Sequence, residues 1–233
     1  IHGVPLAGRK IIALHDHSGP GAISKLVQAI GKGKSVAYAS EAGMPLIADP
    51  GFELGRAVLH AEHQVTSAPG PSAVLTALVL AGLPTDAFFF AGFLPNAKSA
   101  RQTALQKLQD VPGTLVFYES PKRLAAFLSD AAGILGAERQ AVVCRELTKK
   151  FEETTRGTLQ ELAANYGGKS VKGEVVVVVD RGRSEKITTV GLEEELRSAL
   201  KTHSMRDAVD LVANAHEMPR RQVYQLALAL SKE

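Results

Sequence analysis

Apolar positions along the chain fall into short blocks set apart by turns rich in Gly, Pro and polar residues. Residues 11–14, Ile-Ile-Ala-Leu, read as a strand followed by a polar loop over 15–20. Ile23, Leu26, Val27 and Ile30 then recur at helical spacing. Residues 35–39 and 64–68 are strand-like, and each runs into a tight turn. The turns are Ser40-Glu41-Ala42-Gly43-Met44-Pro45 and Pro69-Gly70-Pro71-Ser72-Ala73. Leu54, Ala57, Val58 and Ala61 mark a helix after the first turn, and residues 72–80 form one after the second. Strand, sharp turn and helix, repeated, is the grammar of an α/β domain. In such sheets ligands sit beyond the carboxyl ends of the strands. Glycine there lets the backbone approach a ligand, and proline fixes the turn. The two turns are candidate ligand loops of one pocket, although tight connections alone would give the same spacing.

The alternation continues with an aromatic strand at 87–90 and a helix at 99–109 carrying Arg101 and Lys107 on its solvated side. A strand at 114–118 follows, then a helix at 122–132 with Leu124, Phe127, Leu128 and Ala131 on one face. Residues 140–145 read as a strand, 159–166 as a helix and 174–179 as the last strand. The β-branched run of valines at 175–179 reads as a buried strand. Composition then shifts: Arg181, Gly182, Arg183, Ser184, Glu185 and Lys186 lie in a polar stretch over 180–189 that reads as a linker. Beyond it, 192–200, 205–215 and 219–230 are helical. The last two join through Ala215-His216-Glu217-Met218, and Pro219 suits a first helical position. Arg220, Arg221 and Gln222 open the final helix, as in a helix-turn-helix module with a recognition helix. A solvated helical cap is the plain alternative.

The balance of 45% hydrophobic and 22% charged residues is that of a globular protein with a real core. No apolar run approaches the roughly 20 residues of a membrane helix. A single cysteine, Cys144, excludes an internal disulfide framework and suits a reducing cytoplasm. A net charge of +3 is mildly basic, compatible with nucleic acid without pointing to it.

Several chemistries lack their signatures. His15 and His17 flank Asp16 without a Cys/His cluster, which fits a polar loop better than a metal site. There is no nucleophile elbow, Walker loop or G-x-G-x-x-G fingerprint. Cys144 lies within an apolar strand and reads as core. Polar clusters do stand at strand ends: Tyr118-Glu119-Ser120-Pro121, Arg145-Glu146-Leu147-Thr148-Lys149 and Lys172-Gly173-Glu174. An Arg145–Glu119 or Arg145–Glu146 ion pair is their structural reading; convergence on one crevice is the functional one.

In order along the chain stand Ser40-Glu41-Ala42-Gly43-Met44-Pro45-Leu46-Ile47-Ala48-Asp49-Pro50-Gly51, Pro69-Gly70-Pro71-Ser72-Ala73, Gly82-Leu83-Pro84-Thr85-Asp86 and Gly92-Phe93-Leu94-Pro95. Phe117-Tyr118-Glu119-Ser120-Pro121, Arg145-Glu146-Leu147-Thr148-Lys149 and Lys172-Gly173-Glu174 follow. With these ordered motifs, from about Leu14 to Val179, the chain resembles the small-subunit ribosomal RNA methyltransferases of the tetrapyrrole methylase superfamily. The C-terminal helices look like that family's appended domain. The resemblance implies S-adenosylmethionine as cofactor and 2′-O-methylation of a cytidine ribose in the decoding region of 16S rRNA. It implies two α/β domains with the cofactor in the cleft between them, a small C-terminal helical domain, a homodimer, a cytoplasmic location and no membrane association. The domains expected are 1–84, 85–187 and 188–233.

The same resemblance places the cofactor on Gly43, Met44, Leu46, Ile47, Ser72, Ala73, Tyr118, Cys144 and Gly173. The family usually has Asp and Thr where this chain has Glu41 and Met44. Glu41 keeps the charge, and Met44 loses a hydroxyl beside the cofactor loop. The family also begins with a strand, a Gly-rich loop and an acidic segment that precede the matching part here, so the start of the first domain is expected to be missing. Glu119, Glu146 and Lys149 are candidates to assist loss of the ribose proton. Lys98, Arg101, Lys122, Arg123, Lys149, Lys150, Arg220 and Arg221 are candidate phosphate contacts. No metal is expected. A tetrapyrrole or corrinoid methyltransferase, and a nonenzymatic RNA-binding module, are the competing readings.

Overall fold

The computed structural model describes residues 8, 10–15, 19–182, 189–215 and 218–230. The chain divides into two compact units, Ile1–Arg181 and Gly182–Glu233. In the first unit the elements run α1 (Pro20–Gly31), α2 (Phe52–His60), α3 (Ala73–Ala81), β1 (Phe88–Phe93) and α4 (Lys98–Gln106). They continue with β2 (Thr114–Glu119), α5 (Leu124–Leu135), β3 (Gln140–Arg145), β4 (Glu153–Thr158), α6 (Leu159–Tyr166) and β5 (Val175–Val179). The strands form one sheet in the order β1-β2-β5-β3-β4. β1 and β2 are parallel, and the other neighbouring pairs are antiparallel.

The five valines of β5 show how this sequence builds that sheet. β5 is the central strand, between β2 and β3, and all five side chains are buried. Val175, Val177 and Val179 join Leu115, Phe117, Leu124, Phe127 and Leu128 in the core beneath α4, α5 and α6. Val176 and Val178 face the other way, against Val116, Cys144 and the Val74, Ala77, Leu78 and Ala81 stripe of α3. With helices on both faces, the strand needs apolar residues at every position. α3 ends at Gly82 in the left-handed region, where Arg156 of β4 donates to the terminal carbonyls of Leu80 and Ala81. α6 opens on a capping box between Thr158 and Glu161.

Two expectations are corrected. The segments at 11–14, 35–39 and 64–68 belong to no ladder among the described residues. Ile11 is 75% exposed and Val36 42% exposed, so neither is held on a buried sheet face. A strand forms by pairing its backbone groups with a neighbour, and no described segment pairs with these. Conversely, β4 was not expected, because Glu-Thr-Thr-Arg-Gly-Thr shows no apolar alternation. It is an edge strand paired only with β3, where polar side chains are tolerated.

The second unit contains α7 (Thr189–Leu200), α8 (Met205–Ala215) and α9 (Arg220–Leu230). Leu192, Leu196, Val209, Val212 and Val223 form its core. Pro219 stands just before α9, and its carbonyl accepts from the Gln222 amide at 2.8 Å. Most of the expected linker, residues 183–188, and the break at His216 and Glu217 lie outside the described residues.

Candidate active site

β1, β2 and β3 point the same way, so their carboxyl ends meet the amino ends of β4 and β5 at one end of the sheet. The register shows it: Phe93 pairs with Tyr118, Glu119 with Val175, and Arg145 with both Val175 and Glu153. The three polar clusters therefore emerge together.

One of them is a cross-linked clip. Glu146 has φ +50°, and its amide donates to the Glu174 carbonyl at 3.0 Å. The Glu174 amide donates back to Glu146 Oε1 at 2.9 Å. Lys149 Nζ donates to Glu146 Oε1 and to Glu174 Oε2, each at 2.9 Å. Gly173 sits beneath, with φ +91°, and a Cβ there would lie 2.5 Å from Glu146 Cγ and Cδ. Only glycine fits. The Glu174 amide, then the Lys149 ammonium, hold the Glu146 carboxyl below its ordinary range. Glu146 and Glu174 hold the Lys149 amine protonated above its own. Lys149 is thus a cation held between two carboxylates. Arg145 binds Glu153 at 2.7 Å and the Lys172 carbonyl at 3.3 Å, rather than Glu119 or Glu146.

Glu119 is buried and engaged elsewhere. It accepts from Arg123 Nη2 at 2.9 Å and from the Ser120 amide at 2.6 Å. Arg123 also donates to the Leu94 carbonyl at 2.8 Å and to Asn96 Oδ1, tying the turn after β1 to the end of β2. Arg101 lies on the core side of α4, 5% exposed, not on its solvated side. Its Nε and Nη2 bind Asp130 at 2.8 and 2.6 Å. A cation buried in such a pair is a structural tie and is withdrawn from phosphate contact. Of the other candidate cations, Lys98, Lys122, Lys150 and Arg221 are exposed, and Arg220 pairs with Asp210.

The two Gly/Pro loops touch. A Cβ on Gly43, at φ +73°, would lie 3.7 Å from the Pro71 carbonyl oxygen, and one on Gly70 would lie 3.1 Å from Met44 Sδ. Leu46 and Ala48 also take left-handed φ values, +70° and +53°, which coils the first loop tightly. Tyr38 donates to the Pro50 carbonyl at 2.7 Å and closes its far side. Leu46 lies near Gly51 and Gly55, toward α2, and both Leu46 and Ile47 are exposed. Ser72 precedes α3 and its hydroxyl makes no capping bond. Tyr118 links these loops to the sheet end. Its ring packs edge-on against Phe90 and Phe93, and its hydroxyl meets the Val74 amide in the first turn of α3. Burial pushes that phenol up. Cys144 is fully buried on the α3 side of β3, and burial raises its thiol as well. It is core, as its strand position suggested.

The structure thus brings Gly43, Met44, Ser72, Ala73 and Tyr118 into one neighbourhood and holds Glu146, Lys149 and Gly173 in another at the same sheet end as Tyr118. The Arg123–Glu119 tie was hinted at by its i, i+4 spacing. The Glu146–Glu174 clip joins residues far apart in sequence and left no local signal. Among the described residues, no three His, Cys, Asp or Glu side chains are grouped to hold a metal, and His17 lies outside them. No helix among them is long and apolar enough to cross a membrane.

Residues 18–163 match the family of Tetrapyrrole (Corrin/Porphyrin) Methylases, and residues 191–231 match the RsmI C-terminal HTH domain. The chain is 42% identical to the ribosomal RNA small subunit methyltransferase I of Mycobacterium tuberculosis, over 97% of this chain and 79% of that protein. It is 50% identical to the namesake of Mesorhizobium japonicum, over 73% of this chain and 58% of that protein. Among solved structures, the methyltransferase CobJ superposes with a TM-score of 0.51 at 17% identity, covering 71% of this chain and 72% of that one. Cobalt precorrin-4 methyltransferase, CbiF, gives 0.51 at 15%, covering 68% and 69%. These two likenesses concern the fold alone.

The chain belongs to the tetrapyrrole methylases and, within them, to the ribosomal RNA small subunit methyltransferase I family. It is a methyltransferase, and the family's methyl donor is S-adenosylmethionine. The residues present fit that group. The close-approach glycines of the two loops are of the kind that would let a nucleoside lie against the backbone.

Proposed function

We propose that this chain methylates the 2′-oxygen of a cytidine ribose in the decoding region of 16S rRNA, acting on the small ribosomal subunit as a cytoplasmic homodimer. The supporting observation is that likeness to proteins named as ribosomal RNA methyltransferases spans 97% of the chain, so it includes the C-terminal module. The working domains in this reading are 1–84, 85–187 and 188–233.

S-adenosylmethionine supplies an electrophilic methyl group on a sulfonium. Gly43, Met44, Leu46 and Ile47 would hold it from one loop and Ser72-Ala73 from the other, with Tyr118 beside them, whereas Cys144 is enclosed in the core and Gly173 is covered by Glu146, so neither would reach it. Transfer is an in-line displacement, so the chain must hold the ribose oxygen about 3 Å from the methyl carbon and aligned with it. Glu146 is the acceptor for the ribose proton. The Lys149 ammonium and the Glu174 amide both bind its Oε1. Lys149 fixes that carboxylate and presents a cation to the RNA backbone. Glu119 acts through Arg123 as a brace for the turn after β1.

The test is to incubate the purified chain with S-adenosylmethionine and small ribosomal subunits from cells lacking this methylation, then map the rRNA by mass spectrometry. A methyl group on one cytidine ribose is expected. Methylation of a corrinoid with the subunits untouched would overturn the reading.

A further inference from the structure

The loop between β3 and β4, residues 146–152, presents an aromatic side chain that no role above explains. Phe151 is 63% exposed, the most exposed phenylalanine among the described residues. Its position does not follow from a loose loop. Lys149 donates its amide to the Glu146 carbonyl at 3.0 Å, and Glu152 donates its amide to the Lys149 carbonyl at 3.1 Å. Glu152 also accepts from the Thr148 amide at 2.6 Å, and Thr148 takes φ +65°. The loop is therefore cross-tied from within, and it holds Phe151 outward at the sheet end where Glu146 sits.

The charges around the ring are sorted in one direction. Lys150 Nζ lies 5.7 Å from the Phe151 centroid. The neighbouring carboxylates are all engaged: Glu146 and Glu174 with Lys149, Glu153 with Arg145, and Glu152 with the Thr148 amide. Lys150 and Lys172 have no ion pair among the described residues, and both are exposed. An exposed aromatic ring with the Lys150 cation beside it suits an unpaired base with its phosphate.

Building on the RNA reading above, we propose that Phe151, with Lys150 beside it, is the stacking platform for an unpaired base next to the methylated nucleotide. The test uses the full chain, small ribosomal subunits and a single-stranded RNA oligonucleotide carrying 2-aminopurine. F151A should weaken RNA binding about tenfold, the scale of losing one base–aromatic stack, without changing the salt slope. F151W should bind as the wild type and quench 2-aminopurine; F151L should neither bind tightly nor quench. K150A should lower the salt slope by about one unit. Calorimetric affinity for S-adenosylmethionine should hold in every variant.

Wild-type RNA affinity in F151A, or in F151L without quenching, would overturn the platform and leave the methyltransferase reading intact. A change of F151A from dimer to monomer would overturn it in favour of a contact between copies of the chain. A wild-type chain that binds no RNA would overturn both.

Discussion

β5 and the segment at 35–39 are both short apolar runs beside a glycine or proline turn, yet one is the centre of the sheet and the other joins no strand among the described residues. Val177 and Val178 are fully buried, while Val36 is 42% exposed. The difference lies in the neighbours. β5 has β2 and β3 on its flanks and helices above and below. A strand is a collective property: its composition permits it, and an adjacent edge makes it.

The contrast can be broken most forcefully at the core. Phe117, fully buried on β2, packs on Phe127 with ring centroids 5.1 Å apart. Phe117→Ala should cost about 3–5 kcal/mol in urea unfolding, whereas Val36→Ala should change stability by less than about 0.5 kcal/mol. Equal effects would mean that the two runs are equally structural.

The next effect falls on function. Gly173→Ala puts a Cβ 2.5 Å from Glu146 carbon atoms at φ +91°. Methyl transfer should fall about fivefold to 150-fold, the consequence of about 1–3 kcal/mol of local strain in the clip. Gly43→Val should abolish cofactor binding while circular dichroism stays that of the wild type. Unchanged calorimetric affinity would remove the first loop from the site.

A smaller effect concerns pH. The Glu146 carboxyl is depressed, so its ionised form and the clip it makes persist above its unfolded pKa and are lost as pH falls through the depressed value. Lys149→Met removes one of the two donors and should move the acid limb of the pH–rate profile upward. An unmoved acid limb would separate Glu146 from the chemistry.

The smallest expected effect is at α9. Replacing Arg220 and Arg221 with Ala should lower the salt slope of RNA binding by at most about two units. Arg221 should contribute the larger share, because Arg220 is already paired with Asp210. Cofactor affinity should not change.

Local patterns carried far in this chain. β3, α6 and α8 lie where apolar spacing puts them, because each buries one continuous stripe. What stayed hidden depends on distant partners. Arg101 looks solvated on its own helix and is buried only because Asp130 meets it from α5. β4 is polar and exists because β3 offers it an edge. At the candidate site the same rule holds: glycine and proline mark the loops, but neither marks that Met44 would meet Gly70 or that Glu174 would hold Glu146.

Cys144 carries a practical consequence. Being the sole thiol, fully buried and poorly ionised, it is shielded from thiol-reactive reagents while the sheet is closed. Its rate of labelling therefore clocks the opening of β3, giving the protein an intrinsic timer for fluctuations of the strand that ends at Arg145. Slower labelling in the presence of S-adenosylmethionine would register how far the donor's grip reaches into the sheet.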